Sequence, residues 1–105
     1  MTDKKKFLTV FAAAAMLSAS FATQGFAQTI KIGVNEPLTG PFAASGTYVV
    51  NGAKIAADEI NAKGGVLGKK IELVIEDNKS NPTEAAAVAE KLITNDKVPV
   101  IMGAW

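Results

Sequence analysis

The sequence predicts an α/β fold, a partial doubly wound parallel sheet in the order β-α-β-α-β. Three observations carry this. Short β-branched or continuous apolar runs occur at residues 29–36, 70–77 and 98–102. Two stretches with helical spacing separate them, each bounded by recognisable end signals. Strands alternating with amphipathic helices imply right-handed crossovers and a parallel sheet. The first strand is expected between the other two, giving strand order 2-1-3.

Residues 1–27 stand apart from this pattern. Lys4, Lys5 and Lys6 form a basic start, and Phe7 to Ala22 is uncharged and mostly apolar. Gly25, Phe26 and Ala27 place small residues at the third and first positions before a cut at Gln28, the pattern of a cleaved secretory signal peptide. A membrane anchor is the competing reading, but a spanning helix needs ~20 predominantly apolar residues. Thr9, Ser18, Ser20, Thr23 and Gln24 interrupt the run, and the strongly apolar part covers only Val10 to Leu17. With no Cys after the cut, a lipoprotein is excluded at this site.

The first strand reads as TIKIGVNE, with Ile30, Ile32 and Val34 alternating. Pro37 ends it. Pro37 to Gly46 is dense in Gly, Pro, Ser and Thr and reads as a loop about ten residues long, longer than most connections in compact α/β units. From about Gly46 to Lys63, Val49, Ala53, Ala56, Ala57 and Ile60 fall on one helical side, with Lys54, Asp58, Glu59 and Asn61 mostly opposite. Lys63 suits the negative helix end, and Gly64 suits a left-handed stop. Gly52, unfavourable inside a helix, suggests close approach to the sheet.

Lys70 to Asp77 (KIELVIED) gives the second strand. Asn81-Pro82-Thr83-Glu84 is the clearest local signal: a capping Asn, a Pro suited to the first turn, and a Glu placed to reach back to the cap N–H. Ala85, Val88, Ala89, Leu92 and Ile93 follow as an apolar stripe. Val98 to Met102 then reads as a strand buried on both faces. The chain stops at Trp105, leaving the second sheet edge uncovered and allowing both helices to share one face. Residues 28–105 therefore read as the N-terminal part of something longer, rather than a complete miniature α/β protein.

Composition removes whole classes of function. The 105 residues contain eleven Lys, ten Asp plus Glu, and no Arg, His or Cys. Usual zinc sites, Cys nucleophiles and Ser-His-Asp triads are unavailable. The first 27 residues hold three of the lysines and one of the acids, so the remainder carries a formal charge of −1. That balance offers no basic face for nucleic acid. Gly64 to Lys69 (GGVLGK) fails as a phosphate loop in spacing, in the residue after Lys69, and in joining a helix to a strand. No GxGxxG occurs. Asp58 and Glu59 point about 100° apart on their helix and cannot converge as an acid/base pair. Glu76 and Asp77 end a strand on opposite faces and read as solvated. Asn78-Lys79-Ser80 matches a glycosylation pattern too common to carry weight. The expectation is a non-enzyme with no cofactor and no metal.

Ligands of doubly wound sheets sit outside the carboxyl ends of the strands. The loop after the first strand and the residues after the third share that rim. The helix after the loop presents N–H groups suited to a carboxylate, and Ser45 and Thr47 can add hydroxyls. Trp105 is placed to wall a pocket. The bland alternatives are helix capping for Ser45 and Thr47, and core packing for Trp105.

Leu38 to Gly46 (LTGPFAASG), then GAKIAADEINAKGGVLGKKIELVIEDNKSNP, then VIMGAW, resemble the start of periplasmic substrate-binding proteins of branched-chain amino-acid ABC transporters. The likeness covers about residues 28 to 105, and Asp58 to Pro82 is its most specific part. It implies the N-terminal lobe of a type I periplasmic binding fold, in which two hinged α/β lobes close on a small molecule. It also implies cleft-facing positions at Ser45 and Trp105. Members selective for leucine, isoleucine and valine can carry an aromatic where Ser45 stands. The expected function is an exported, periplasmic receptor that captures an amino acid or similar small carboxylate for an inner-membrane ABC permease. The alternative is a ligand-sensing ectodomain of a receptor or regulator with the same fold.

Overall fold

The computed structural model describes residues 28–104. The signal-peptide reading of residues 1–27 and the pocket reading of Trp105 lie outside the described residues. The elements are β1 (Thr29–Glu36), α1 (Ala43–Ala62), β2 (Lys70–Asp77), α2 (Pro82–Thr94) and β3 (Val100–Gly103). The sheet is three-stranded in the order β2-β1-β3, and both strand pairs are parallel.

The register sorts the side chains into two faces. Ile32 pairs with Leu73 and Val100, and Val34 with Ile75 and Met102. On this face α1 lies over the sheet, with Ala53, Ala57 and Ile60 facing Ile32, Leu73 and Met102 across an apolar groove of about 340 Å³. The opposite face carries Gly33, Val74 and Ile101. There Val88 and Leu92 of α2 cluster with Val98, Val74 and Ile101. Gly33 makes room for this layer, since a Cβ there would lie 3.1 Å from both Leu92 and Val98. Fully burying a side chain such as Leu92 contributes about 1.5–3 kcal/mol.

The helices therefore lie on opposite faces, not on one. The reason is directional. The chain steps from β1 outward to β2, then returns across β1 to reach β3. Two right-handed crossovers made in opposite directions must pass over opposite faces.

The ends of α1 and α2 follow local chemistry. Gly64, at φ +101°, closes α1 with a Schellman motif. Gly65 N–H donates to Ile60 O (2.9 Å) and Gly64 N–H to Asn61 O (3.1 Å). Asn61 also reaches β2, accepting from Ile71 N–H (2.7 Å) and donating to Ile71 O (2.8 Å). At α2, Asn81 Oδ1 accepts from the N–H groups of Thr83 (2.8 Å) and Glu84 (3.2 Å). Glu84 does not reach back to the cap. The Asn81 N–H already donates to Asn78 O (3.0 Å), and Glu84 faces Lys79 at 3.8 Å.

Several packing expectations shift. Helix α1 starts at Ala43, so the loop after β1 shortens to Pro37–Phe42 and Ser45 and Thr47 become helical. Val50 is buried and Val49 only half-buried. Ile93 is 59% exposed, and Val100 is 52% exposed because β3 is an edge strand over the open side of the groove. Close approach belongs to Gly46, where an added Cβ would stand 1.8 Å from Pro37 O, whereas at Gly52 it would meet nothing within 4 Å.

This contrast is testable by urea denaturation of residues 28–105. Gly46→Ala is expected to destabilise by about 1–3 kcal/mol, because α1 must lift from the end of β1. Gly52→Ala is expected to stabilise by ~0.5–1 kcal/mol through helix propensity. Equal effects at both positions would contradict the close approach.

Candidate functional site

The carboxyl ends of the strands form one rim, since Glu36 pairs with Asp77 and Asn35 with Gly103. Asp77 organises it. Its Oδ1 accepts from the N–H groups of Leu38 (2.8 Å), Thr39 (3.2 Å) and Lys79 (2.8 Å), and its Oδ2 accepts from the Thr39 hydroxyl (2.7 Å). Desolvation by burial pushes this carboxyl up. The Thr39 hydroxyl and the N–H groups of Lys79, Leu38 and Thr39 outweigh it, lowering the pKa from 3.8 to about 2.

Ser80 adds a second tie. Its Oγ donates to Thr39 O (2.7 Å) and accepts from Phe42 N–H (3.2 Å). Gly40, at φ +84°, passes so close that a Cβ would lie 2.8 Å from Ser80 Oγ. The β2–α2 loop supplies these groups by turning sharply. Lys79 and Ser80 both have left-handed backbone (φ 56° and 57°), and Asp77 and Asn78 each accept from the N–H two residues on.

Behind this surface lies a buried amide pair. Asn78 Nδ2 donates to Asn35 Oδ1 (3.1 Å), and Asn35 Nδ2 donates to Ala85 O in α2 (2.9 Å). Buried polar groups cost least when fully paired, and this pair locks the first turn of α2 to β1. Further from the rim, Lys91 bridges Glu76 and Asp96, and both hydrogen bonds raise its pKa.

A cavity of about 480 Å³ opens on the rim between Phe42, Ser80, Asn81, Pro82, Ala85 and Ala104. It joins the loop after β1 to the residues after β3, as the sequence led us to expect. The Ala104 N–H donates to Asn35 O (2.6 Å), which turns the chain along the rim. Ser45 sits half-buried in the first turn of α1, and Thr47 is exposed with its hydroxyl donating to Ala43 O (2.8 Å). Neither caps the helix, whose N-cap is Phe42 with no side-chain cap bond. Neither is among the described residues lining the cavity. Among the described residues no group of three or more Asp or Glu is placed to hold a metal ion.

Sequence reasoning missed Asp77, Asn78 and Ser80. Asp77 is not a solvated strand end, and Glu76 is engaged by Lys91. The available signal was local: Asp and Asn followed at two residues by groups able to close Asx turns.

The chain belongs to the periplasmic binding protein family, whose pattern matches residues 29–105. Its sheet order and crossovers are those of the type I fold of that family. It is similar to the Leu/Ile/Val-binding protein of Rhizobium johnstonii, 41% identical over 91% of this chain and 26% of the relative. It is also similar to a leucine-, isoleucine-, valine-, threonine- and alanine-binding protein of Pseudomonas aeruginosa, 44% identical over 86% of this chain and 24% of the relative. Among solved structures, the branched-chain amino acid transporter substrate-binding protein of Streptococcus pneumoniae, in complex with isoleucine, superposes with a TM-score of 0.72. It is 51% identical over 73% of this chain and 22% of that one. The chain thus spans about a quarter of the length of the relatives it matches.

The lowered Asp77 pKa has a signed consequence. Its contribution to stability is complete above the unfolded value of 3.8 and is lost as pH falls through about 2. Urea midpoints measured from pH 5 down to pH 2 are expected to fall less steeply in Asp77→Asn than in the parent chain.

Proposed function

We propose that this chain is part of an exported receptor that captures an amino acid, of the branched-chain type or a similar small carboxylate, for an ABC importer. Residues 1–27 act as the signal peptide, and residues 28–105 supply the start of one lobe. The permease that accepts the loaded receptor is the partner.

The observation that carries this reading is the rim itself, matched along residues 29–105 to relatives named for binding leucine, isoleucine and valine. A mostly apolar cleft with a few fixed polar groups suits a small amphiphilic solute. The ligand's side chain gains from apolar enclosure, and its carboxylate from N–H groups at a helix start. The first turn of α1 carries no acidic residue and no side-chain cap, so it offers that field to the cleft. Ser45 and Trp105 are assigned to the cleft wall. Thr47 joins them if its hydroxyl exchanges Ala43 O for the ligand. No covalent chemistry is required: capture is a shift of population toward the closed arrangement of two lobes.

Isothermal titration calorimetry with leucine, isoleucine and valine tests this. A gene product carrying a second lobe is expected to bind at least one of them saturably, and residues 28–105 alone are expected not to. Micromolar binding by residues 28–105 alone would overturn the two-walled cleft, and a two-lobed product that ignores every amino acid would overturn the ligand class. Export is tested separately: N-terminal sequencing of the secreted product is expected to begin at Gln28.

A further inference from the structure

The rim's conformation rests on a tie between two loops that are distant in sequence. Within the loop after β1, the segment Leu38–Phe42 directs four donors onto the β2–α2 loop. Three of them, the Leu38 N–H, Thr39 N–H and Thr39 hydroxyl, meet Asp77, and the fourth, the Phe42 N–H, meets Ser80 Oγ. Ser80 returns a hydroxyl to Thr39 O. The ties of this loop into α1 are local: Ala43 N–H donates to Gly40 O (3.2 Å) and Gly46 N–H to Phe42 O (3.1 Å). The loop leads into α1, so it sets where Phe42, the first turn and Ser45 stand.

From this geometry we infer that Asp77, assisted by Ser80, is the positioning residue of the binding rim: it holds the β1–α1 loop in its ligand-ready shape without touching the ligand. The inference rests on the binding reading above for its effect on affinity, and not for the clamp itself. Two features separate positioning from general support. The acceptor set is centred on one carboxylate, which is a stronger acceptor than a neutral group. The fixed segment belongs to the rim rather than to either packed layer, where Val88, Leu92 and Val98 hold α2 independently.

Asp and Asn have nearly the same shape, which gives a discriminating variant. In Asp77→Asn, Oδ1 can still accept from Leu38, Thr39 and Lys79, while Nδ2 donates to a Thr39 hydroxyl that has reversed its role. In Asp77→Ala all four bonds are lost.

The test uses a gene product that carries a second lobe, freed of residues 1–27, and two readouts. Amide hydrogen exchange at Leu38, Thr39 and Phe42 is expected to accelerate about tenfold or more in Asp77→Ala, consistent with losing several charge-assisted bonds. Exchange at Val88 and Leu92 is expected to stay within about twofold, since their protection is set by the α2 layer. In Asp77→Asn the loop amides should recover most of their protection. Isoleucine affinity by calorimetry should fall about tenfold in Asp77→Ala and be largely restored in Asp77→Asn, in step with the exchange data. Unchanged loop exchange in Asp77→Ala overturns the clamp. Faster loop exchange with unchanged isoleucine affinity overturns the positioning role while leaving the clamp. If the parent product binds no amino acid, the binding reading fails by itself, and the exchange arm still decides the clamp. Ser80→Ala keeps the test decisive should Asp77→Ala not fold. It removes only the Thr39 and Phe42 bonds and is expected to raise exchange at Phe42 more than at Leu38.

Discussion

Strand β1 hydrogen-bonds on both sides, and nearly everything else in this chain follows from that constraint. A central first strand forces the chain out to β2 and back across to β3. Because both crossovers turn right-handed, the reversal puts α1 on one face and α2 on the other. The connections leaving β1 and β2 therefore run to opposite faces of the sheet. A crevice opens between them at the carboxyl ends, the place where open α/β sheets hold their ligands. The cavity flanked by Phe42 and Ala104 lies in this crevice.

Asp77 is ionised at neutral pH and saturated by donors from its own and a neighbouring loop. Asn35 and Asn78 are neutral and buried, satisfying each other and the backbone. The buried amide pair ties β1, the β2–α2 loop and the first turn of α2 together.

Membership of the periplasmic binding protein family agrees with the sheet order and the crossovers of the fold. The open groove between α1 and the sheet, with Val100 exposed beside it, shows that residues 28–104 leave apolar surface uncovered on the α1 side. That agrees with the chain spanning only about a quarter of its relatives.

By itself the sequence determined the element order, the strand order, the end of α1 and the Asn81 cap of α2, because these depend on local patterns. Ile30, Ile32 and Val34 alternate, Gly64 ends a helix, and Asn81-Pro82 starts one. It also located the rim, since parallel sheets place their sites by a general rule. What it left open depended on contacts between distant residues. Val50 rather than Val49 is buried because of how α1 rolls on the sheet. Gly46 rather than Gly52 is the close approach because Pro37 lies beneath it, a fact no helical wheel contains. Asp77 looked like a solvated strand end until the loop after β1, 38 residues away, was seen to fold back onto it. Only the tertiary structure decides where this carboxylate finds most of its donors, because three of the four are brought to it by the sheet and only the Lys79 N–H by the chain beside it.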